Sequence, residues 1–331
     1  MKSVALPTEL SRPYKLIKYL FLDKLKSMSL VSEEAQKKFF KAGYRMVGSH
    51  SAVEICHWTK ESLRKGRVCF KEKWYGIKSH RCLEMTPSLT WCTHKCQFCW
   101  RPLEFTVSKE PKPDDPKDIV DECINQRGLL LTGFGGNEKV DKKRWEEAFK
   151  PTNAAISLAG EPTLYSRISE LIEEFHRRNM TTFLVTNGTR PDRLKNLEEE
   201  PTQLYISLCS PDEKTYEKVH NPLIEDGWKK LNESLELMKS FDCRKAIRLI
   251  LVKGLNLKEP EKYAKLILKA EPNFIEAKAY MHVGDSQKRL SRESMPVIDE
   301  IREFAEKISG FTGYEIKDED RPSRVVLLTK G

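Results

Sequence analysis

From about residue 115 onward, apolar strand-like runs alternate with segments whose apolar residues recur at helical spacing. Residues 154–159 form one such run, and residues 164–175 follow with one apolar helical face. Further strands are predicted at 83–89, 182–185, 204–208, 246–252, 274–282 and 325–328, and further helices at 116–127, 226–240, 259–269 and 297–308. About six consecutive βα units predict a parallel sheet with helices outside it.

This pattern leaves two α/β architectures open, a doubly wound sheet and a full or partial barrel. In both, the chemistry is expected at the C-terminal ends of the strands, where the βα loops meet. The first 80 residues fit no βα pattern and look like short helices, with a helix start at Ser32–Ala35. We therefore divide the chain into a mainly helical N-terminal extension, residues 1–81, and a βα body, residues 82–331.

The charge of the chain is unevenly distributed. The chain has 58 Lys and Arg against 49 Asp and Glu, and its first 100 residues hold 19 of the basic and 8 of the acidic residues. A basic segment beside a neutral body favours a polyanionic partner, nucleic acid first, although a basic surface kept for solubility is the alternative. No apolar run reaches ~18 residues and no export signal is evident, so we expect no membrane segment and a cytoplasmic location.

Six of the nine cysteines lie between residues 56 and 99. An odd number of cysteines without an export signal argues against a disulfide framework, and clustered cytosolic cysteines indicate a metal site. The other three, Cys123, Cys209 and Cys243, lie singly in helix-like and strand-like segments, where a free cysteine is commonly a small buried side chain.

Cys92, Cys96 and Cys99 form a C-x3-C-x2-C motif just after the first predicted strand. Three thiolates on one tight loop can bind one metal centre. A structural zinc ion would need a fourth ligand, for which His94 or Cys82 could serve. An iron–sulfur cluster held by three cysteines would instead leave one iron open for a ligand or substrate.

This spacing, with Phe98 directly before the last cysteine, resembles the hallmark of the radical S-adenosylmethionine (SAM) superfamily. The resemblance implies a partial (β/α)6 barrel and a [4Fe-4S] cluster on Cys92, Cys96 and Cys99. It further implies that SAM binds the fourth iron and is cleaved to a 5'-deoxyadenosyl radical, chemistry that the cofactor carries and the protein positions.

The same resemblance implies SAM-binding residues at the ends of the following strands. Gly160 and Glu161 are similar to the motif that binds the SAM amino group, Asn187 and Ser207 to positions that contact its ribose or carboxylate, and Phe98 would pack on the adenine. Each of these is also ordinary turn or cap chemistry, but all fall on the face where a βα fold places its site.

Cys56, Cys69 and Cys82 form a second motif, C-x12-C-x12-C, which no ordinary zinc module shows. Three unrelated reduced cysteines are the alternative. This spacing directly upstream of the first motif closely resembles the tRNA 4-demethylwyosine synthases of wybutosine biosynthesis, as do residues 70–76 and 280–284. The resemblance implies a second [4Fe-4S] cluster on these three cysteines.

The resemblance also implies a reaction. These carbon–carbon lyases act on N1-methylguanosine at position 37 of tRNA-Phe and use pyruvate as a two-carbon donor. Lys71 is expected to form a Schiff base with pyruvate, Lys73 is its competitor, and pyruvate could also chelate the open iron of the second cluster. The loop 284–294, which carries Lys288, Arg289 and Arg292, is predicted to reach tRNA phosphates.

No flavodoxin-like segment precedes the basic segment, so we expect a separate electron donor, a ferredoxin or flavodoxin. Nothing in the sequence suggests an obligate protein partner, so we expect a monomeric enzyme. Two alternatives remain. One is a different radical SAM enzyme, which modifies tRNA in another way or activates a glycyl radical. The other is a nucleic-acid-binding protein whose six clustered cysteines hold two structural zinc ions.

Overall fold

The computed structural model describes residues 29–64 and 66–331. Its strands are β1 (Arg45–Val47), β2 (Ser51–Glu54), β3 (Cys82–Thr86), β4 (Asn153–Ile156), β5 (Thr181–Thr186), β6 (Gln203–Ser207), β7 (Arg244–Leu251), β8 (Phe274–Ala279), β9 (Glu315–Asp320) and β10 (Val325–Thr329). They form one sheet in the order β1-β2-β3-β4-β5-β6-β7-β8-β10-β9.

One α-helix of the described residues precedes β1, and the others lie between the strands along the chain. They are α1 (Glu33–Lys41), α2 (His57–Leu63), α3 (Phe70–Tyr75), α4 (Pro116–Thr132), α5 (Lys142–Ala148), α6 (Ile168–Arg177), α7 (Pro191–Lys195), α8 (Glu213–His220), α9 (Gly227–Leu237), α10 (Pro260–Ala270) and α11 (Ile298–Thr312).

Six neighbouring strands, β3 to β8, are parallel and follow one another in chain order. A doubly wound sheet reverses its strand order at a switch point, so this unbroken order is that of a barrel. The hairpin of β1 and β2 adds antiparallel strands beside β3, and β10 and β9 do so beside β8. The barrel stays open, and the predicted partial (β/α)6 barrel is confirmed.

The two faces of the parallel strands have different neighbours. Leu184 of β5 belongs to the core cluster that also contains Phe175 of α6, so this face packs on the helices. Phe183, the preceding residue, belongs to a second cluster with Tyr205 of β6 and Tyr75 of α3. Because side chains alternate along a strand, α3 lies on the inner face of the barrel.

The described part of the extension is helical apart from one hairpin. The predicted helix start is confirmed, since Ser32 Oγ accepts a hydrogen bond of 3.3 Å from Ala35 N. The hairpin was not predicted, because strands of three and four residues are too short to show alternation. Val53 of β2 pairs with Met85 of β3, so the sheet continues across the predicted boundary at residue 82. Residues 1–28 and 65 of the extension lie outside the described residues.

Candidate active site

The first cysteine triple, Cys92, Cys96 and Cys99, lies on the loop after β3. The loop is held by its backbone: Cys99 N donates to Cys96 O at 3.1 Å, which closes a tight turn, and Cys92 N donates to Val107 O at 2.9 Å. Its middle is fixed to α8, because Gln97 N donates to Val219 O at 2.9 Å. All three thiols line one cavity of about 230 Å³.

This cavity lies at the C-terminal ends of the parallel strands, where the fold was expected to place its chemistry. Besides the first triple, it is lined by the five residues predicted to bind SAM, which are Phe98, Gly160, Glu161, Asn187 and Ser207. Three loops and the end of β6 supply them, so the structure brings together residues from a sequence span of more than 100 positions. Their contact with SAM stays a prediction.

Glu161 joins two of the strand-end loops. Its carboxylate accepts hydrogen bonds from Thr186 Oγ1 at 2.6 Å and from Asn187 N at 2.7 Å, and also from the amide and hydroxyl of Thr163. Burial raises the pKa of Glu161, and these hydrogen bonds oppose that shift. The carboxylate is thus fixed at the cavity wall.

Gly160 cannot be replaced by a residue with a side chain without moving the backbone. Its φ is +67°, and an added Cβ would lie 1.7 Å from Ser88 O and 2.5 Å from Trp91 O. The loop after β4 therefore touches the loop that leads into the first triple. This close backbone contact explains the glycine before Glu161.

The other three SAM candidates differ in how free their side chains are. Asn187 Nδ2 donates to Thr93 Oγ1 at 2.8 Å and its Oδ1 accepts from Thr189, so its side chain is occupied by the loops. The Ser207 hydroxyl has no partner among the described residues and lines the cavity. The Phe98 ring stands edge-on to His220, with centroids 5.9 Å apart.

The surroundings of the first triple are polar but incompletely paired. Burial raises the pKa of Cys92 to about 11 and that of Cys96 well above its ordinary value. Burial acts to lower the pKa of Arg101, but the three thiols outweigh it, and the pKa is raised. Arg101 Nη1 and His220 Nε2 are buried without a partner in the described chain. Unpaired buried polar atoms at a cavity indicate a ligand that would hydrogen-bond with them.

The geometry fits an iron–sulfur cluster better than a single zinc ion. Among the described residues, the one set of three potential ligand atoms within 4.8 Å of one another is His94, Cys96 and His220, which leaves out Cys92 and Cys99. Sulfurs on one tetrahedral zinc ion would lie about 3.8 Å apart, given Zn–S bonds of ~2.3 Å. A cluster offers each thiolate its own iron and needs no such proximity.

The second cysteine triple, Cys56, Cys69 and Cys82, comes from three different elements. Cys56 is the N-cap of α2, Cys69 the N-cap of α3 and Cys82 the first residue of β3. The Cys56 sulfur accepts from Thr59 N at 3.4 Å. Burial raises the pKa of all three, to about 12 for Cys82, and the neighbouring thiols contribute to the rise at Cys56. The structure therefore brings the predicted second triple together.

A buried arginine accompanies the second triple. Arg127 of α4 is 1% exposed, and it donates to Cys82 O at 3.0 Å, to His80 O at 2.8 Å and to Ala148 O. No carboxylate pairs with it within the described part of the chain. Burial lowers the pKa of Arg127 to about 10, while the thiols of Cys82 and Cys56 act to raise it. Its charge is thus opposed only by the cysteine groups.

Lys71 and Lys73 lie on opposite sides of α3. Lys71 is buried inside the barrel, with its Nζ 4.9 Å from the ring centroid of Phe183 and 5.3 Å from that of Tyr205. Its Nζ has no hydrogen-bond or ion-pair partner among the described residues. Lys73 is instead paired with Asp320 of β9. The structure therefore favours Lys71 over its competitor.

The loop that was expected to reach tRNA has two kinds of basic residue. Arg289 donates to Gln97 O at 3.2 Å and to Cys99 O, so it supports the first triple. Lys288 is paired with Asp285 at 2.9 Å but is 65% exposed, and Arg292 is also exposed. Only the latter two stay candidates for phosphate contacts.

Four charged residues of the barrel interior were missed from the sequence. Arg248 and Lys278 also line the cavity, and Arg248 Nε donates to Glu276 Oε2 at 2.8 Å. Glu84 of β3 interacts electrostatically with both Lys71 and Arg248. Burial raises the pKa of Glu84, and these two cations oppose that rise. The signal that could have revealed this interior was Arg248 within the apolar stretch of β7, together with charged residues at alternate positions of β8.

Two family descriptions match the chain, "Radical SAM superfamily" over residues 86–267 and "Wyosine base formation" over residues 269–330. The chain thus belongs to the radical SAM superfamily, which confirms SAM and a [4Fe-4S] cluster as cofactors. A tRNA 4-demethylwyosine synthase of Pyrococcus abyssi is 55% identical over 304 residues, 90% of this chain and 89% of that protein. Within the superfamily, the chain belongs to the tRNA 4-demethylwyosine synthase family.

Other relatives agree with this membership. The synthase of Methanocaldococcus jannaschii is 38% identical over 306 residues, 90% of this chain and 96% of that protein. A solved structure described as "Structure of TYW1 with a lysine-pyruvate adduct bound" is 36% identical with a TM-score of 0.84, and the match covers 91% of this chain and 97% of that chain. In the part of the chain that the structure describes, no helix has the length and apolar character needed to cross a membrane.

Proposed function

We propose that this chain converts N1-methylguanosine at position 37 of tRNA-Phe into 4-demethylwyosine, as a carbon–carbon lyase that takes two carbons from pyruvate. The names of its relatives support the reaction. One observation of the structure carries the proposal: a single cavity runs from the first triple to Arg248 and Lys278, and Arg248 rests on the same tyrosine ring as Lys71.

In this proposal, Cys92, Cys96 and Cys99 bind the [4Fe-4S] cluster, and Phe98, Gly160, Glu161, Asn187 and Ser207 form the SAM site. Cluster and SAM together supply a 5'-deoxyadenosyl radical when bound. The residues of the chain position SAM and surround it. Glu161 is fixed by four hydrogen bonds, so it can hold the SAM amino group without rearranging, and the cavity walls shield the radical from water on the protein side.

Lys71 is the proposed catalytic residue for pyruvate. Its unprotonated Nζ would form a C–N bond to pyruvate C2, and the carbonyl oxygen would leave as water, which gives an imine. Because Nζ has no hydrogen-bond or ion-pair partner among the described residues and lies against two aromatic rings, no hydrogen bond or ion pair must be broken first. The description of the related TYW1 structure, which names a lysine–pyruvate adduct, supports this role.

The second triple is proposed to bind a second [4Fe-4S] cluster. Its three thiols converge from α2, α3 and β3, and Cys69 lies two residues before Lys71. Three cysteines leave one iron open, which could take an oxygen atom of pyruvate. The separate ferredoxin or flavodoxin donor, the monomeric state and the cytoplasmic location stay predictions from the sequence.

The proposal is tested by anaerobic turnover of the reconstituted protein with dithionite, SAM and tRNA-Phe that carries N1-methylguanosine. Nucleosides from the digested tRNA are then analysed by mass spectrometry, with and without pyruvate. We expect a tricyclic nucleoside only when pyruvate is present. If 5'-deoxyadenosine forms but the base is unchanged, the chain is a radical SAM enzyme with a different reaction, which was the alternative left open by the sequence.

A further inference from the structure

The barrel interior contains a buried ion pair whose cation is only partly satisfied. Arg248 of β7 and Glu276 of β8 are directly paired in register, and Arg248 Nε donates to Glu276 Oε2 at 2.8 Å. The other carboxylate oxygen, Oε1, accepts from Tyr75 OH at 2.8 Å and from Tyr205 OH at 3.1 Å. Both oxygens of Glu276 are therefore occupied.

Arg248 Nη2, in contrast, is buried and has no partner in the described chain. A guanidinium has five N–H donors, and an unpaired charged donor in the interior costs more than an unpaired neutral one. The residue lines the cavity, so a bound ligand can reach it. A ligand that enters from the cavity can supply an acceptor for this donor.

Arg248 and Lys71 meet at one side chain. The Cζ atom of Arg248 is 4.5 Å from the ring centroid of Tyr205, and Lys71 Nζ is 5.3 Å from the same centroid. Glu84 interacts electrostatically with both cations. Because both cations contact one ring, an adduct formed on Lys71 can extend toward the unpaired Arg248 donor.

The charges of the interior favour an anion as that ligand. Three cations, Lys71, Arg248 and Lys278, face two carboxylates, Glu84 and Glu276. One carboxylate is fully used by Arg248 and the two tyrosines. The other, Glu84, is shared between Lys71 and Arg248, so the cations of this set outnumber the carboxylates. Arginine suits a carboxylate because its planar donors match the two oxygens.

We propose that Arg248 binds the carboxylate of the 2-keto acid whose carbonyl carbon reacts with Lys71, and so selects a 2-keto acid over a neutral carbonyl compound. This inference rests on the proposed function. Only the C–N bond forms and water leaves in the adduct step, so the carboxylate keeps its charge and its contact with Arg248 throughout.

Lys278 is the weaker candidate for this contact. Its Nζ already donates to Ser323 O at 2.6 Å, and burial, reinforced by Arg248, lowers its pKa to about 8. The Arg248 guanidinium stays charged under all such conditions. The carboxylate contact is therefore assigned to Arg248.

The test traps the adduct in the anaerobically reconstituted protein with sodium cyanoborohydride, without SAM or tRNA. Mass spectrometry then quantifies the modified Lys71 peptide across a pyruvate titration. For Arg248→Gln we expect the half-saturating pyruvate concentration to rise roughly 10- to 100-fold, the size of a lost charged hydrogen bond. Arg244→Gln is the control, because it also removes one positive charge, four positions away on the same strand and face. It should change the half-saturating pyruvate concentration less than about two-fold.

Methyl pyruvate, a neutral ester of similar shape, gives a second readout. The wild-type protein should trap pyruvate in preference to methyl pyruvate, and Arg248→Gln should lose this preference. Arg248→Lys keeps the charge without the planar fork, so it should keep the preference at reduced affinity. If Arg248→Gln does not fold, Arg248→Lys is compared with Arg244→Lys. Only Arg248→Lys should then raise the half-saturating pyruvate concentration.

Several results would overturn the inference. An unchanged preference for pyruvate in Arg248→Gln would place the carboxylate elsewhere. Weaker SAM binding in equilibrium dialysis, with pyruvate trapping unchanged, would assign Arg248 to the SAM carboxylate, and weaker tRNA binding alone would assign it to a phosphate. If the wild-type protein cleaves SAM but traps no pyruvate on Lys71, the proposed function itself fails, which is a distinct outcome.

Discussion

The fold brings the three cysteines of each triple together in a different way. Cys92, Cys96 and Cys99 lie on one short loop at the C-terminal end of β3, beside the cavity. Cys56 and Cys69 are N-caps of two helices, and Cys82 begins β3, so the second triple forms only once the extension has folded against the barrel. The first is a local feature of the sequence, and the second is a product of tertiary structure.

Each triple also has its own buried arginine, which comes from a different place. Arg101 follows the first triple on the same loop and donates to His94 O at 3.2 Å. Arg127 belongs to α4 and reaches the second triple from the helical layer, through the carbonyl oxygen of Cys82. We infer that the two sites have separate electrostatic environments and can be altered one at a time.

The largest expected effect separates the two triples by function. In Cys96→Ala, 5'-deoxyadenosine formation should fall by on the order of 10³-fold or more, because the cluster loses a thiolate ligand. In Cys69→Ala, SAM cleavage should persist while the tricyclic nucleoside is lost. Chromatography of both products in one reaction measures this. Cys243→Ala, a single partly buried cysteine, serves as the control. Loss of SAM cleavage in Cys69→Ala would contradict the separation.

Gly160→Ala should damage the first site next most strongly. The added Cβ would collide with the backbone at Ser88 and Trp91, so we expect SAM cleavage to fall about 100-fold or more, since misplacement by about 1 Å has such effects. Gly313 has a similar φ, +74°, with nothing within 4 Å of an added Cβ. Gly313→Ala should cost only about 1 kcal/mol in unfolding free energy and leave SAM cleavage intact. Equal activity losses in both variants would refute the close-contact explanation.

Replacing Arg101 or Arg127 should change the reduction potential of one cluster only. A positive charge favours the more negative, reduced cluster, so Arg127→Met should lower the reduction potential of the second cluster by on the order of tens of mV. Arg101→Met should do the same to the first. An EPR-monitored redox titration distinguishes the two signals, and Arg127→Lys, which keeps the charge, should restore most of the shift. If Arg127→Met moves the first cluster's potential instead, the assignment of the arginines is wrong.

The smallest effect concerns Lys278, which lies between the cavity and Cys69. Burial lowers its pKa to about 8, against ~10.4 in an unfolded chain. Between these pH values the unfolded chain holds a proton that the folded protein has lost, so the free energy of unfolding rises with pH, by at most about 3 kcal/mol. Below pH 8 the cost of the buried charge is fully present.

Lys278→Met should therefore have a higher free energy of unfolding than the wild-type protein at pH 7. This difference should be lost by pH 10. Anaerobic urea denaturation at both pH values measures the difference from the wild-type protein. The exposed Lys317→Met is the control and should show no such trend. A stability difference between Lys278→Met and wild type that does not depend on pH would show that Lys278 is not desolvated in the folded state.

The features that could be predicted from the sequence are the local ones, and those that could not depend on tertiary structure. The βα order and the first triple depend on local spacing, and both were found. Strand β9 was missed because its residues, mostly charged, show no apolar alternation. Lys71 and Lys73 could not be separated by sequence, yet two positions on a helix face different directions, and the fold sends one into the barrel and the other to Asp320.

The interior charges were missed for a related reason. Whether Arg248 faces the helices or the cavity depends on strand register and on what covers each face, and neither is visible in a single strand's composition. The same holds for Arg127, whose three acceptors come from two distant segments. Long-range partners of polar residues are the part of this site that only the structure could supply.

The most direct measurement follows carbon from pyruvate into the tRNA base. Anaerobic turnover with pyruvate labelled with ¹³C at C2 and C3, followed by mass spectrometry of the nucleosides, reports whether both labelled atoms enter the tricycle. The account predicts a tricyclic nucleoside heavier by both labels in the wild-type protein and none in Lys71→Ala. A tricyclic nucleoside without label, or labelled product in Lys71→Ala, would contradict the account.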